Sequence, residues 1–179
     1  MNEESFSLVP CPSARLRPSV TIEGTIARHG NALAIGYTLV GRLREVVIPE
    51  PAAVPGRQDG LWKDTCFEFF LAVRGSPPYW EFNLSPAGHW NAYRFASYRE
   101  GMVEEPAFTA LAFTVQRQRG ALALALELDL SKIVPADQAL EVAISAVLKH
   151  EDGSVTYWAL TQCGPQPDFH RRDSFIIAL

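Results

Sequence analysis

Apolar and polar residues alternate with a period of two along most of this chain, the pattern of strands that bury one face. Val20-Thr-Ile-Glu-Gly-Thr-Ile26 alternates in this way, and Leu33-Ala-Ile-Gly-Tyr-Thr-Leu-Val40 follows after the turn signature His29-Gly-Asn31. The two runs predict an antiparallel hairpin. Further strands are predicted over Arg44–Ile48, Thr65–Val73, Tyr79–Ser85, Trp90–Phe95, Ala110–Gln118, Ala121–Leu130, Leu140–Lys149, Val155–Leu160 and Ser174–Leu179. Between them stand Arg74-Gly-Ser-Pro-Pro78, Pro86-Ala-Gly88, Arg119-Gly120 and Glu151-Asp-Gly153, with the Gly, Pro or Asp that tight turns require. About ten strands on short connections predict an all-β fold, an antiparallel β-sandwich of jelly-roll type.

Three segments depart from the alternation. Pro49–Gly60 is too rich in Pro and Gly for a strand and leads straight into Trp62, so a loop framing a site is expected there. Asp129-Leu-Ser-Lys-Ile-Val-Pro135 supplies a capping Asp or Ser before one short helical turn that Pro135 ends. Thr161–Asp173 reads as a long loop between the last strands. No repeat or composition break divides the chain, which predicts one domain over residues 1–179.

Charge narrows the partners. The formal charge is −4 and the 16 basic residues are scattered, which removes the electrostatic footprint of a nucleic-acid binder. No apolar run approaches the roughly 20 residues of a membrane span, and Met1-Asn-Glu-Glu-Ser5 does not resemble the start of a secretory signal, so no membrane partner and a cytoplasmic location are expected. Cys11, Cys66 and Cys163 are widely spaced without a CxxC pair, and reduced structural thiols are the expectation.

The chemistry concentrates in Leu61–Gly88. Glu68 stands alone among apolar neighbours in its strand, while Glu81 and Asn83 share one face of the next, opposite Phe82 and Leu84. A carboxylate buried without a partner costs several kcal/mol, so these groups are either paired internally or turned to a concavity where a polar ligand meets them. Trp62, Glu68, Glu81, Asn83, Asn91 and Arg94 together suit a sugar, whose ring faces stack on aromatics while its hydroxyls seek carboxylates, amides and Arg. The competing reading puts Trp80 and Trp90 in the core and pairs Glu81 with Arg94 across the strands. Trp62 and Trp158, each flanked by loop or turn signals, are the stronger aromatic candidates for a site.

Catalysis finds less support. The four histidines have no metal-ligand spacing, and no nucleophile elbow, phosphate loop or dinucleotide fingerprint is present. Glu68 and Glu81 are the one pair that invites comparison with a glycosidase, and the expectation is that the chain is not an enzyme.

At the level of motifs the chain resembles the family 9 carbohydrate-binding modules of the DOMON-like superfamily, over about residues 15 to 179. The features are Trp62 six residues before Glu68, the strand and turn Tyr79-Trp-Glu-Phe-Asn-Leu-Ser-Pro-Ala-Gly88, the strand Leu124–Leu128 before Ser131-Lys-Ile133, and Tyr157-Trp158-Ala-Leu. The resemblance implies a non-catalytic domain that binds a small carbohydrate or similar polar ligand in a Trp-lined cleft. Two Trp side chains clamp the sugar and a Glu bonds its hydroxyls, which by motif position are Trp62, Trp158 and Glu68. It also admits a structural calcium, with no ligand set identifiable here, and haem, which some relatives hold through Met and His. Met102 lies in the polar stretch Arg99–Glu105, where a solvent loop is expected. The chain departs from the family pattern with Asp64-Thr65 where an acidic residue is expected three after the Trp, and Pro167–Phe175 resembles a bacterial, unsecreted branch. A protein-interaction module and a haem-binding domain are the alternatives.

Overall fold

The computed structural model describes residues 2–12, 19–161 and 164–179. Twelve strands form one sheet: β1 (Asn2–Pro10), β2 (Val20–His29), β3 (Ala32–Gly41), β4 (Cys66–Val73), β5 (Tyr79–Leu84), β6 (Trp90–Phe95), β7 (Val103–Glu104), β8 (Phe113–Gln118), β9 (Ala121–Asp129), β10 (Leu140–Lys149), β11 (Val155–Ala159) and β12 (Ile177–Ala178). Their spatial order is β7-β6-β5-β4-β10-β11-β1-β2-β3-β9-β8, with β12 beside β10. All ladders between these strands are antiparallel.

The fold is all-β, and instead of two separate sheets it is one sheet curled into a half-barrel. β1 makes the join, pairing with β2 over Asn2–Leu8 and with β11 at Val9 and Pro10. Curling brings Ile22, Leu39 and Leu124 from one half into a shared core with Phe67, Phe69 and Phe82 from the other. The Tyr37 hydroxyl spans that core and donates to the Glu68 carbonyl at 2.8 Å. Gly24 allows the tight curl. A Cβ there would stand 2.0 Å from the Gly36 carbonyl oxygen and 2.4 Å from the Phe6 ring, so any larger residue would push β1 and β3 away from β2.

β4 and β5 are buried on both faces, which is why they read as nearly continuous apolar runs. Phe67, Phe69 and Leu71 face the main core, while Phe70 and Ala72 join Tyr79, Tyr93, Phe95 and Phe175 in a second cluster on the outer face. The chain after β11 covers that outer face, and the candidate site lies beneath it.

Several boundaries differ from expectation. β1 went unpredicted, although Phe6 and Leu8 alternate inward with exposed neighbours. Arg44–Ile48 forms a 3-10 turn at Leu43–Glu45 with local bonds, followed by a single bridge from Val46 to His150 in which the Val47 N–H donates to the Lys149 carbonyl at 2.8 Å. The strand expected from Ala110 begins at Phe113, and that expected over Ser174–Leu179 shrinks to β12 behind a 3-10 turn at Arg172–Ser174. The turn after β9 forms as expected at Leu130–Lys132, and Asp129 supplies the cap by accepting from the Ser131 N–H at 2.9 Å. No helix among the described residues is long and apolar enough to cross a membrane.

The expectation of three reduced thiols requires correction. Cys66 is a free, buried thiol, whereas Cys11 is disulfide-bonded; Cys163 lies outside the described residues. Spacing in sequence does not report pairing of strands: the Cys11 N–H donates to the Tyr157 carbonyl at 2.7 Å, so Cys11 lies beside β11.

Candidate functional site

Antiparallel register builds a polar row across the outer face. Ser145 of β10 is opposite Glu68 of β4, Glu68 is opposite Asn83 of β5, and Asn83 is opposite Asn91 of β6. All four side chains are buried. In the next row Glu81 stands between Phe70 and Tyr93, which makes Glu68 and Glu81 diagonal neighbours, with Cα atoms roughly 7–8 Å apart.

The β6 end of the row is consumed internally. The loop 49–60 folds over it, so that Arg57 donates to the Asn91 Oδ1 at 3.0 Å while the Asn91 amide meets the Gln58 carbonyl at 3.1 Å and Glu104 at 2.9 Å. Tyr93 donates to Asp59 at 2.6 Å. Asn91 is therefore a structural residue of the loop. The other end of the row is not plugged. Ser145 donates to Glu68 Oε2 at 3.2 Å and Asn83 donates to Glu81 Oε1 at 3.0 Å, yet Glu68 Oε1 and Asn83 Oδ1 have no hydrogen-bond partner.

A cavity of about 360 Å³ opens over these carboxylates, walled by Trp62, Arg99, Met102, Tyr157, Phe169 and His170. Trp62 reaches it from a 3-10 turn at Leu61–Lys63 that starts at Gly60, whose φ of 75° suits glycine. Its ring meets Tyr93 edge-on at 5.8 Å. His170 hangs from the segment after β11, packed edge-on against Phe70 and Phe95 at 5.2 and 5.0 Å. The roof is latched by Asp168, which accepts from Arg99 Nη2 at 2.8 Å, from the Tyr98 hydroxyl and from the His170 N–H at 3.1 Å. Arg99 sits at φ 55°, the sole described non-glycine residue in the left-handed region.

Burial sets the protonation of the floor. It lifts the Glu81 carboxyl to about 7 against the opposing bond from Asn83, and it lifts Glu68 well above the usual carboxylate range, with the nearby Glu81 charge adding to the rise. Burial and then Arg99 lower His170 to about 4, so its ring is neutral at physiological pH. The tautomer follows from the bonds. The Tyr79 hydroxyl accepts the Arg99 N–H at 3.1 Å, so its own proton points to His170 Nδ1 at 2.8 Å, and the imidazole proton resides on Nε2, which faces Glu81 Oε2 at 3.8 Å.

Of the residues singled out from the sequence, Trp62, Glu68 and Glu81 line this cavity, and Asn83 lies behind its floor, bonded to Glu81. Trp158 does not meet Trp62. It pairs with Ala146, whose side chain faces the main core, and is buried there with Nε1 donating to Thr156 Oγ1 at 3.0 Å. Its neighbour Tyr157 faces the cavity instead. Arg94 is likewise one residue out of phase, opposite Trp80 on the other face of the sheet, so it neither pairs with Glu81 nor reaches the cavity. Trp80 and Trp90 are core residues, the first donating to Glu105 at 3.0 Å and the second covered by the Arg57 guanidinium at 4.5 Å. Sequence reasoning missed Tyr157, Arg99 and His170; Met102 is exposed, as a solvent loop requires, and also lines the cavity. Tyr157 alone carried a signal, as the other half of an aromatic pair in a strand. No group of three His, Cys, Asp or Glu side chains among the described residues forms a metal-binding set.

No protein-family model and no curated protein matches the chain. Solved structures do. A Bacteroides uniformis protein provisionally assigned as carbohydrate-binding superposes with a TM-score of 0.74 at 16% identity, covering 96% of this chain and 84% of its own. A family 9 carbohydrate-binding module from Caldicellulosiruptor kristjanssonii, solved with cellotriose, superposes with a TM-score of 0.50 at 9% identity, covering 87% and 72%. The curled antiparallel sheet of this chain is a fold like that of the family 9 carbohydrate-binding modules.

Proposed function

We propose that the chain is a non-catalytic module that binds a small carbohydrate in the cavity between Trp62 and Tyr157, with Glu68 and Glu81 meeting the ligand at the floor and Asn83 behind them. One observation carries the reading: Glu68 Oε1 and Asn83 Oδ1 are buried without partners beneath an aromatic-walled cavity. Leaving such atoms unsatisfied costs about 1–3 kcal/mol each, a cost that ligand donors remove. The fold-level likeness to carbohydrate-binding structures supports the same reading, and binding without turnover fits a floor whose two carboxyls adjoin on neighbouring strands at the blind end of the site. The haem alternative draws on Met102 and His170 lining one cavity, but the residues do not fit an iron ligand: His170 Nδ1 is taken by Tyr79 and Nε2 is turned to Glu81.

The test is calorimetric titration with glucose and short β-glucans alongside Trp fluorescence. Saturable binding with a change in Trp emission that Trp62→Ala removes is the expected result. No binding by any sugar, with a full-length partner protein captured through the same face, would replace this reading with the interaction module.

A further inference from the structure

Acceptor atoms at and just behind the cavity floor lack matching donors. Glu68 Oε1 and Asn83 Oδ1 have no partner, and Glu81 Oε2 has only the distant His170 Nε2 at 3.8 Å. Glu68, 2% exposed, and Glu81 line the cavity, whereas Asn83 is 0% exposed and lies behind Glu81. A sugar hydroxyl brings one donor to such a floor; an ammonium brings three.

Among the described residues no cation pairs with the floor carboxyls. Arg99 is near enough for its charge to work against the rise of Glu81, but its guanidinium is paired to Asp168 at 2.8 Å, and burial and Arg99 keep the His170 ring neutral. The remaining titratable groups facing the two carboxyls are Cys66 on β4, Tyr79 on β5 and Tyr93 on β6, none of them cationic. A metal ion is poorly served, since among the described residues no three His, Cys, Asp or Glu side chains gather into a metal-binding set. The walls suit an organic cation instead, because Trp62, Tyr157 and Phe169 line the cavity and aromatic rings attract positive charge over their faces.

We infer that the cavity selects an amino sugar, whose protonated amine sits between the Glu68 and Glu81 carboxyls while its ring lies between Trp62 and Tyr157. The inference rests on the sugar-binding reading and names the class of sugar. Because burial favours the protonated carboxyls when the cavity is empty, an incoming ammonium expels a proton from one of them, and binding is accompanied by proton release.

The experiment compares glucosamine, N-acetylglucosamine, glucose and methylammonium by titration calorimetry at pH 6, in two buffers of different ionisation enthalpy. An amine of ordinary basicity is protonated at that pH. Glucosamine binding at least about tenfold tighter than glucose or N-acetylglucosamine, about 1.4 kcal/mol, with up to one proton released per complex, is the expected result. Glu68→Gln should erase most of that preference, and Glu81→Gln serves if Glu68→Gln fails to fold. Equal affinity for glucosamine and glucose would overturn amine selection and leave sugar binding standing. Methylammonium binding as tightly as glucosamine, with no neutral sugar bound, would overturn the sugar reading in both. No binding by any of the four would overturn both as well.

Discussion

Asn83 stands directly across from Glu68 yet gives its amide to Glu81 on its own strand, at 3.0 Å. That choice leaves the Asn83 carbonyl and one Glu68 oxygen facing each other's strand without a donor between them. Two acceptors cannot satisfy one another, so the sheet face carries a built-in demand for donors that protonation or a ligand must meet.

The first prediction follows from that demand as a dependence of stability on pH, opposite in sign to most carboxylates. Glu81 titrates at about 7 in the folded chain against an ordinary 4.5, and Glu68 is raised with it, so above pH 4.5 the folded state binds more protons than the unfolded. Stability therefore falls as pH rises, by about 1.4 kcal/mol per pH unit for each group still holding its proton. His170 opposes this. Its folded value near 4 lies below the ordinary 6.5, so what it contributes is complete above pH 6.5 and lost on acidification toward 4. The two raised carboxyls outweigh the single histidine, so the net slope keeps the carboxyls' sign, and the part due to Glu81 ends as pH passes about 7. Thermal melts from pH 5 to pH 8 should show a falling Tm, with a shallower fall in Glu81→Gln. A wild-type Tm that climbs over this range would contradict the assignment.

The second prediction separates the two Trp residues. Trp158 fills the main core, so Trp158→Ala should cost about 3–5 kcal/mol in a denaturant titration. Trp62 is half-buried at the mouth of the cavity, so Trp62→Ala should leave the fold largely intact and weaken sugar binding by about 2 kcal/mol. Loss of binding without loss of stability in Trp158→Ala would put that ring back in the site.

These two residues also show how far the sequence could be read. Alternation placed Glu81 and Asn83 on one face correctly, because Phe82 between them and Leu84 after them are apolar and settle which way is in. In Tyr157-Trp158 both residues are aromatic, so period two gives no phase and only the pairing of Trp158 with Ala146 decides it. Tyr93-Arg94 failed through the same one-residue ambiguity. Arg99 and His170 belong to loops, where no periodicity exists to report a direction, and their convergence on the cavity depends on the Asp168 latch. β1 has the right alternation in Phe6 and Leu8 but only one turn of the pattern, too short to stand out before the structure showed β11 beside it.

The third prediction concerns the cysteines. Alkylation of the native protein without reductant should leave Cys66 unmodified, since the thiol is buried and burial raises its pKa well above the ordinary value. Denaturation without reductant should expose Cys66 to the reagent, and Cys11 should react only after reduction. Labelling of Cys11 in unreduced, denatured protein, read by peptide mass spectrometry, would be evidence against its bond.

The fourth prediction tests the roof. Asp168 gathers Arg99, the Tyr98 hydroxyl and the His170 N–H, and so ties the segment after β11 to the turn after β6 across the cavity. Asp168→Ala removes all three bonds at a partly exposed site, where the loss to global stability should be on the order of 1 kcal/mol. The local effect is larger: amide exchange across residues 164–171 should accelerate while β4 and β10 stay protected. Arg99 adds a second handle, because its left-handed backbone at φ 55° opposes an ordinary side chain. Arg99→Ala loses the ion pair and keeps that cost, whereas Arg99→Gly loses the pair and is free of it, so the Gly variant should be the more stable of the two by about 1 kcal/mol. Equal stability of the two would mean that the backbone at 99 relaxes once the latch is gone, and exchange in 164–171 unchanged by Asp168→Ala would mean that the aromatic packing of Phe169 and His170 holds the roof without it.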